Sequence, residues 1–582
     1  VTPFTRVVVT IALLLVAATL AATPATRMRI ARALAAVRNP TVRARRWTTL
    51  TVCVVAIAYM LVTALYQQRE LIPKFHDEHM HLLQMQMLAR GKLWMAQHLL
   101  ADFFETFHVM VKPVYASIYF PGTALMYVPT VWLHLPFWLM PLLIAGLGAG
   151  LMYRVTAELI DGVAGLLAAL MLVSLQWFRY LSLMVMSHSV MLLLGLAIVW
   201  AWLHWRRERS LKWTTIIGAL MGWAAITRPV DALCYSIPVG AAMLICLWRE
   251  KPARIAATLV ILCVAAAPFL ALQVIQNVGI TGDPLKSPYR LYADLYTPQM
   301  SFGFHRFDET IRPQTTLPQR QDYYDEFTIP AARKHRPQTI VQTWLKERFP
   351  MLADVTTPNR ILLVLLPLSL FAFPWRGRPA RAQSDSARTG RTSNVGALVL
   401  WSVLPLWIAF YAVFAYVLPV YCVVVAPAVI FAVLLGKTFA ERSGEAVEVF
   451  LTTSIVMLYI AALPEIDHQV IDDGFPAPSM SFSYSKLREM INDDHAIVLF
   501  RYRKGDNVNE EPVYNIDVAW PDDAPIIRAH DLGVQRDREL FDYYAEHQPR
   551  RNVFLYDRAS RTLAPLGNVT ELARRFPVKP RM

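Results

Sequence analysis

The stretch TLTVCVVAIAYMLVTALY, residues 49–66, runs for eighteen residues without a charge. A membrane-spanning helix needs about 20 mostly apolar residues. Comparable runs recur at 7–22, 48–66, 138–156, 162–178, 186–204, 213–228, 231–248, 255–276, 359–375, 396–416, 418–436 and 449–463. With no water in the hydrocarbon layer, backbone groups there must pair within their own segment, so these runs predict helices. They are continuous rather than alternating, which disfavours an outer-membrane barrel. Composition agrees: 55% of the residues are hydrophobic and 17% charged. Mean hydropathy is +0.36, outside the range of ordinary soluble domains.

The net charge of +14 raises nucleic acid as a partner, and its placement excludes it. Seven arginines and no acidic residue lie in 27–46, and other basic clusters fall at 204–213, 248–254 and 375–391. All are short and separate apolar runs, the pattern of cytoplasmic loops rather than of a nucleic-acid surface. The five cysteines, Cys53, Cys234, Cys246, Cys263 and Cys422, sit inside apolar runs with no C-x-x-C spacing. They indicate neither a disulfide framework nor a structural zinc site. The first run resembles a signal peptide up to AATPAT, but the arginine-rich segment behind it fits a retained helix better.

Placing the basic clusters inside fixes the sidedness. The run 48–66 exits, and 67–118 is external. Parity along the chain then returns 204–213 and 248–254 to the inside, provided GTALMYVPTVWLHLPFW (122–138) dips into the outer leaflet without crossing; Pro129 and Pro136 favour such a broken segment. The polar stretch 277–358 is a second external loop. After Pro464 the composition turns soluble. AIVLFRYR (496–503), PIIRAHD (525–531) and NVFLYD (552–557) have strand character, and RDRELFDYYAEH (536–547) is helical in pattern. The expectation is an all-α polytopic membrane protein with about 12–13 hydrophobic segments, bearing a small C-terminal extracytoplasmic α/β domain. Its parts are an N-terminal segment and basic linker (1–47), a transmembrane domain (48–464) and the soluble domain (465–582).

Behind the exiting run stands IPKFHDEHMHLLQ, residues 72–84. On a helix, Asp77 and His81 share a face, as do His76 and His79. A carboxylate at the membrane–water boundary can serve as a general base. Together with Glu78, the histidines His76, His79 and His81 also offer ligands to a divalent metal, although H-E-x-x-H is absent. The bland reading is a solvated helix start with acidic residues at the positive end of the dipole. In VKPVYASIYFPG, Lys112 can pair with a phosphate oxygen, with Tyr115 and Tyr119 lining the approach; the alternative is a snorkelling lysine in an aromatic belt. His188 and Arg228 are polar groups at helix mouths, where function competes with a packing histidine and with an Arg228–Asp231 ion pair. Lys286, Tyr289 and Arg290, at the start of the second loop, are within reach of a lipid phosphate.

HDEH behind an exiting helix, ARGKLW, YFPG, ITRP and the N-x-x-x-T-G-D-P-L exit (277–285) occur in this order. Over about 48–300 they resemble the GT-C membrane glycosyltransferases, in particular the bacterial PMT-like group related to protein O-mannosyltransferases and the lipid A aminoarabinose transferase. The resemblance implies a polyprenyl-phosphate-linked sugar donor and an envelope glycan, lipid or protein as acceptor. It implies an extracytoplasmic active site on a multi-pass protein of the bacterial inner membrane. Asp77 would be the catalytic base, and Glu78 would support it or hold a metal (Mg, Mn or Zn). Lys112 and Arg228 would meet the departing phosphate, and the sugar would be inverted. Ser187-His188 departs from relatives that carry an acidic residue on the outer end of that helix. A transporter or flippase would also have many spans, but it would place charges deep in several helices, whereas these gather outside. A scaffold would not need HDEHMH and VKP on one side.

Overall fold

The computed structural model describes residues 3–375, 395–463 and 487–575, apart from 299, 301, 492 and 494. The basic 376–391 linker and the composition break at 464–465 lie outside the described residues. The chain divides into two compact units. One comprises Val1–Arg69, Trp138–Leu270 and Gln338–Asp467; the other comprises Glu70–Phe137, Ala271–Pro337 and His468–Met582.

The first unit is helical. Among the described residues of the whole chain, nine helices are long and apolar enough to span a bilayer. They are Thr5–Ala22, Val42–Tyr66, Leu139–Leu159, Ser187–Glu208, Pro229–Leu247, Pro252–Thr281, Val395–Ala412, Pro419–Ser443 and Glu445–Ala462. The Pro252–Thr281 helix continues from the first unit into the second. Two expected spans are shorter helices, Gly162–Ser174 and Leu211–Ala225. The run at 359–375 is the second arm of a pair, Ile340–Thr356 and Arg360–Phe373, bent by 108°. Its break carries Asn359, whose side chain accepts from the backbone N–H of Ile361. Consequently 338–358, expected to be external loop, groups with the spans. Pro419–Ser443 and Ser187–Glu208 are mostly buried, in keeping with apolar residues on every side. The helices 139–159 and 42–66 approach through Gly146 and Gly150. A Cβ on Gly150 would stand 2.2 Å from Cys53 Sγ, and one on Gly146 2.3 Å from Ile57, the small-residue contact that draws membrane helices together.

The second unit begins with α1 (His76–Ala89), followed by strands β1 (Met95–Ala96), β2 (Val109–Met110) and β3 (Val114–Ser117), paired antiparallel in the order β1-β3-β2. Next comes α2 (Pro121–Trp132), twelve residues long. At 1.5 Å per residue it reaches about 18 Å, shorter than the hydrocarbon layer of a bilayer. Helices α3 (Pro288–Tyr296) and α4 (Pro318–Tyr323) come from the second loop. The C-terminal part forms a sheet of β4 (Ala496–Arg501), β5 (Ile526–His530), β6 (Asn552–Asp557) and β7 (Thr562–Asn568), with α5 (Val534–His547) and α6 (Val569–Arg575). Its order is β5-β4-β6-β7, parallel except for β7. Alternate residues of β4 feed two cores: Ile497 and Leu499 pack with Leu540 and Tyr544 of α5, and Val498 and Phe500 pack on the other face. Phe103 and Phe104, from the segment between α1 and α2, belong to the same core as α5.

At the carboxyl end of β5, Asp531 accepts from Arg501 at 2.5 Å and from the Gly533 backbone N–H at 2.9 Å. Asp537, 7% exposed, accepts from the Leu532 N–H and shares a hydrogen bond with Asp531. Burial, then that neighbouring carboxylate, push Asp537 up to about 8. A folded-state pKa above the unfolded one means the native state holds the extra proton, so this contribution to stability is full below the ordinary value of 3.8 and is lost progressively as pH rises from there through about 8. Hydrogen exchange across α5 in the intact protein is expected to slow by more than tenfold from pH 8.5 to pH 5, after correction for intrinsic rates, since one pKa unit is one decade. Asp537→Asn is expected to flatten that slope.

Candidate active site

The site grows from the start of α1. Phe75 is the residue before the helix, so Asp77 and Glu78 fall in its first turn, where the unpaired N–H groups favour negative charge. Glu78 is buried, and its Oε2 accepts from the backbone N–H of Lys74 at 2.8 Å and of Phe75 at 3.3 Å. This is the return half of a capping box. The Nδ1–H of His79 donates to the Phe75 carbonyl at 2.6 Å.

Asp77 is held differently. Its Oδ1 accepts from the Tyr119 hydroxyl at 2.5 Å and lies 3.6 Å from His108 Nε2, and its side chain is 31% exposed. The i, i+4, i+7 face of α1 grips Tyr119: Asp77 takes its hydroxyl, His81 packs on its ring at 4.8 Å, and Gln84 Nε2 donates to its carbonyl at 2.8 Å. Gln276 Nε2 donates to the same carbonyl at 3.1 Å. Tyr289 lies against Tyr119, with ring centroids 6.4 Å apart.

His108 has a left-handed backbone, φ +64°, uncommon for a residue with a Cβ. Its N–H donates to Tyr292 Oη at 2.9 Å, and its carbonyl accepts from the Ile118 N–H at 3.1 Å. Tyr292 Oη also accepts from Arg320 at 2.5 Å. Arg320, 3% exposed, pairs with the buried Glu105 at 3.3 Å, donates to the Thr106 carbonyl and lies over the Tyr296 ring at 4.1 Å. His76 Nδ1 is 2.7 Å from Tyr514 Oη, and His79 stacks on the Tyr514 ring at 4.5 Å.

Burial, then the neighbouring imidazoles and arginines, depress His76 far below its ordinary value. Burial takes His79 to about 4. It also lowers His108, against the opposing pull of Asp77. The imidazole beside Asp77, that of His108, is thus held toward its neutral form.

The expected metal set does not fit. Among the described residues no three His, Cys, Asp or Glu side chains gather to hold an ion. His76 is turned to Tyr514, His79 to Phe75 and Tyr514, and His81 to Tyr119. Glu78, the other expected ligand, spends its Oε2 on the helix cap.

Lys112 is ion-paired to Asp102 at 2.5 Å, and Asp102 is also bonded by Arg536 at 3.0 Å. Against the upward push of burial, these two cations hold Asp102 below the usual carboxylate range. Tyr115 is buried edge-on to Trp520. Lys286 and Arg290 both pair with Asp294.

In the first unit, every nitrogen of Arg228 is used. Nε bonds Asp231 at 2.5 Å, Nη1 bonds Ser187 and His188 Nε2, and Nη2 bonds Tyr411, each at 3.1 Å. The Tyr411 hydroxyl closes back on Asp231 at 3.0 Å. Arg228 is thus ion-paired to Asp231 and bonded to His188.

Sequence reasoning missed His108, Tyr292, Arg320 and Tyr514. His108 comes from the first loop, Tyr292 and Arg320 from helices α3 and α4 of the second, and Tyr514 from the C-terminal part, and no spacing ties any of them to the helix start.

No family model and no curated protein matches the sequence. The chain is similar to two solved membrane enzymes. One is ArnT from Cupriavidus metallidurans bound to undecaprenyl phosphate: 13% identity, TM-score 0.48, covering 88% of this chain and 93% of that one. The other is the apo oligosaccharyltransferase of Archaeoglobus fulgidus: 11% identity, TM-score 0.42, covering 77% of this chain. This chain spans 62% of the oligosaccharyltransferase's length. Both are GT-C glycosyltransferases, the group the sequence motifs resemble. At TM-scores under 0.5, neither likeness bears on substrate or mechanism.

Proposed function

We propose that this protein is an inverting membrane glycosyltransferase, moving a sugar from a polyprenyl-phosphate carrier to an acceptor hydroxyl on the extracytoplasmic side of the bacterial inner membrane, with Asp77 as general base. The observation that carries the reading is the asymmetry of the Asp77 carboxylate. Oδ1 is fixed by Tyr119, while Oδ2 has no partner among the described residues and the side chain is part open. Such a group is oriented but not consumed. It can accept the proton of an acceptor hydroxyl as that oxygen bonds the anomeric carbon and the polyprenyl phosphate leaves with the electron pair of the broken C–O bond. One base with no covalent nucleophile gives inversion. Neutral His108 fills the flank of Oδ1 without neutralising the carboxylate. Glu78 supports the base by fixing the helix start. Lys112 and Arg228, the cations expected at the phosphate, each already face a carboxylate and are given no step.

The test uses purified protein in nanodiscs with a panel of polyprenyl-phosphate sugars and candidate glycan, lipid and peptide acceptors, the product's anomeric configuration being read by NMR. Inversion is expected and retention would overturn the single-base scheme. Because the histidines do not assemble a metal site, a chelator is expected to change the rate by less than about twofold, a tenfold fall corresponding to 1.36 kcal/mol of barrier.

A further inference from the structure

We infer that the C-terminal α/β fold is a working part of the Asp77 site, with Tyr514 as a positioning residue that holds His76 and His79 and so fixes the first turn of α1. The inference rests on the reading of Asp77 as the base.

Three observations converge. Tyr514 is 1% exposed and touches both histidines that flank the Asp77-Glu78 pair, by its hydroxyl at 2.7 Å and its ring at 4.5 Å. The hydroxyl also faces the Phe107 carbonyl at 3.4 Å, immediately before His108. The segment bearing Tyr514 is itself locked to the sheet: Asn515 accepts from the Arg528 N–H at 2.9 Å and donates to the Arg528 carbonyl at 3.0 Å, like an extra strand residue on β5.

The sheet, in turn, is joined to the loops that build the site. Phe103 and Phe104 complete its core. His530 Nε2 bonds the Glu105 carbonyl at 2.6 Å, and Asp522 accepts from His98 at 3.0 Å. The C-terminal part thus shares its core and polar contacts with the chain that leads into His108, which an appended acceptor-binding module would not need.

A first turn fixed by Glu78 on backbone N–H groups, His79 on a carbonyl and Tyr514 on His76 leaves Asp77 little freedom. A misplacement of 1 Å at a reacting group can cost about 10²-fold. Tyr514→Phe keeps the stack on His79 and loses the hydroxyl; Tyr514→Leu loses both. In full-length protein in nanodiscs, kcat is expected to fall roughly 3–10-fold for Phe and at least about 30-fold for Leu, with donor KM within about twofold.

A wild-type kcat in Tyr514→Leu, a change confined to KM, or no advantage of Phe over Leu would each overturn the positioning role. The ¹⁵N shift of His76 Nδ1, read in wild type and Tyr514→Phe, needs no turnover. It is expected to move on loss of the hydroxyl, and an unchanged shift would overturn the contact. If no donor supports turnover in wild type, the Asp77 reading fails, and the His76 shift still decides the Tyr514 contact.

Discussion

Asp77→Asn is expected to lower kcat for sugar transfer by roughly 10²–10⁴-fold, the range a positioned general base supplies. The amide retains the size of the carboxylate and an oxygen that still accepts from Tyr119, so helix α1 and the Tyr119 grip survive and donor KM stays within about twofold. What disappears is the one oxygen atom able to take a proton. Tyr119→Phe leaves the base in place but frees Oδ1 of its 2.5 Å partner, and a smaller loss of about tenfold is expected from looser orientation. The order of the two variants is the informative part: a Tyr119→Phe defect as deep as that of Asp77→Asn would mean that the hydroxyl, not the carboxylate, handles the proton.

Arg320→Ala is expected to be the most damaging single change to the second unit, costing ~3–5 kcal/mol, because it strands a buried charge. Glu105 is 6% exposed, and without Arg320 its side chain retains the 2.5 Å bond from Thr315 but no cation. Tyr292 loses the donor that fixes its hydroxyl, and the left-handed turn at His108 loses its backing. Hydrogen exchange over Val109–Ser117 reads the opening of that hairpin directly. The double variant Arg320→Ala/Glu105→Gln removes the stranded charge and is expected to recover part of the loss. Equal destabilisation in single and double variants would show that the aromatic packing of Arg320 on Tyr296, rather than its charge, holds the loop.

Much of the fold was legible because a bilayer makes a simple demand. An apolar run such as 48–66 has few alternatives to a helix, and it is one, extending to Val42 because the flanking arginines are good helix formers. Legibility ended where helices break. At 340–373 a polar first arm, with Lys346, Glu347 and Arg348, precedes an apolar second arm across a 108° bend, and hydropathy alone splits such a pair into a loop and a span. In the C-terminal domain the three apolar strands were visible, but β7, TLAPLGN, was hidden by Pro565 and Gly567. An edge strand tolerates proline where no ladder partner needs its N–H, and a bulge at Val553/Phe554 absorbs the irregularity.

The site was half visible. HDEHMH announced itself as charge beside a membrane run, and Asp77 and Tyr119 do meet. The capping role of Glu78 was masked because Phe75, not Ser or Thr, precedes the helix. His108, Arg320 and Tyr514 reach α1 and its surroundings from far along the chain, and pairing across hundreds of residues leaves no periodic trace. Lys112 shows the converse: a cation that reads as a phosphate ligand is claimed by Asp102, ten residues earlier.

The measurement closest to the central claim is release of free polyprenyl phosphate from a polyprenyl-phosphate sugar in nanodiscs, followed for wild type and Asp77→Asn side by side. Release by wild type that falls at least about 100-fold in the variant is the result expected of a general base. Equal release by both proteins would remove Asp77 from the chemistry and with it the proposed mechanism.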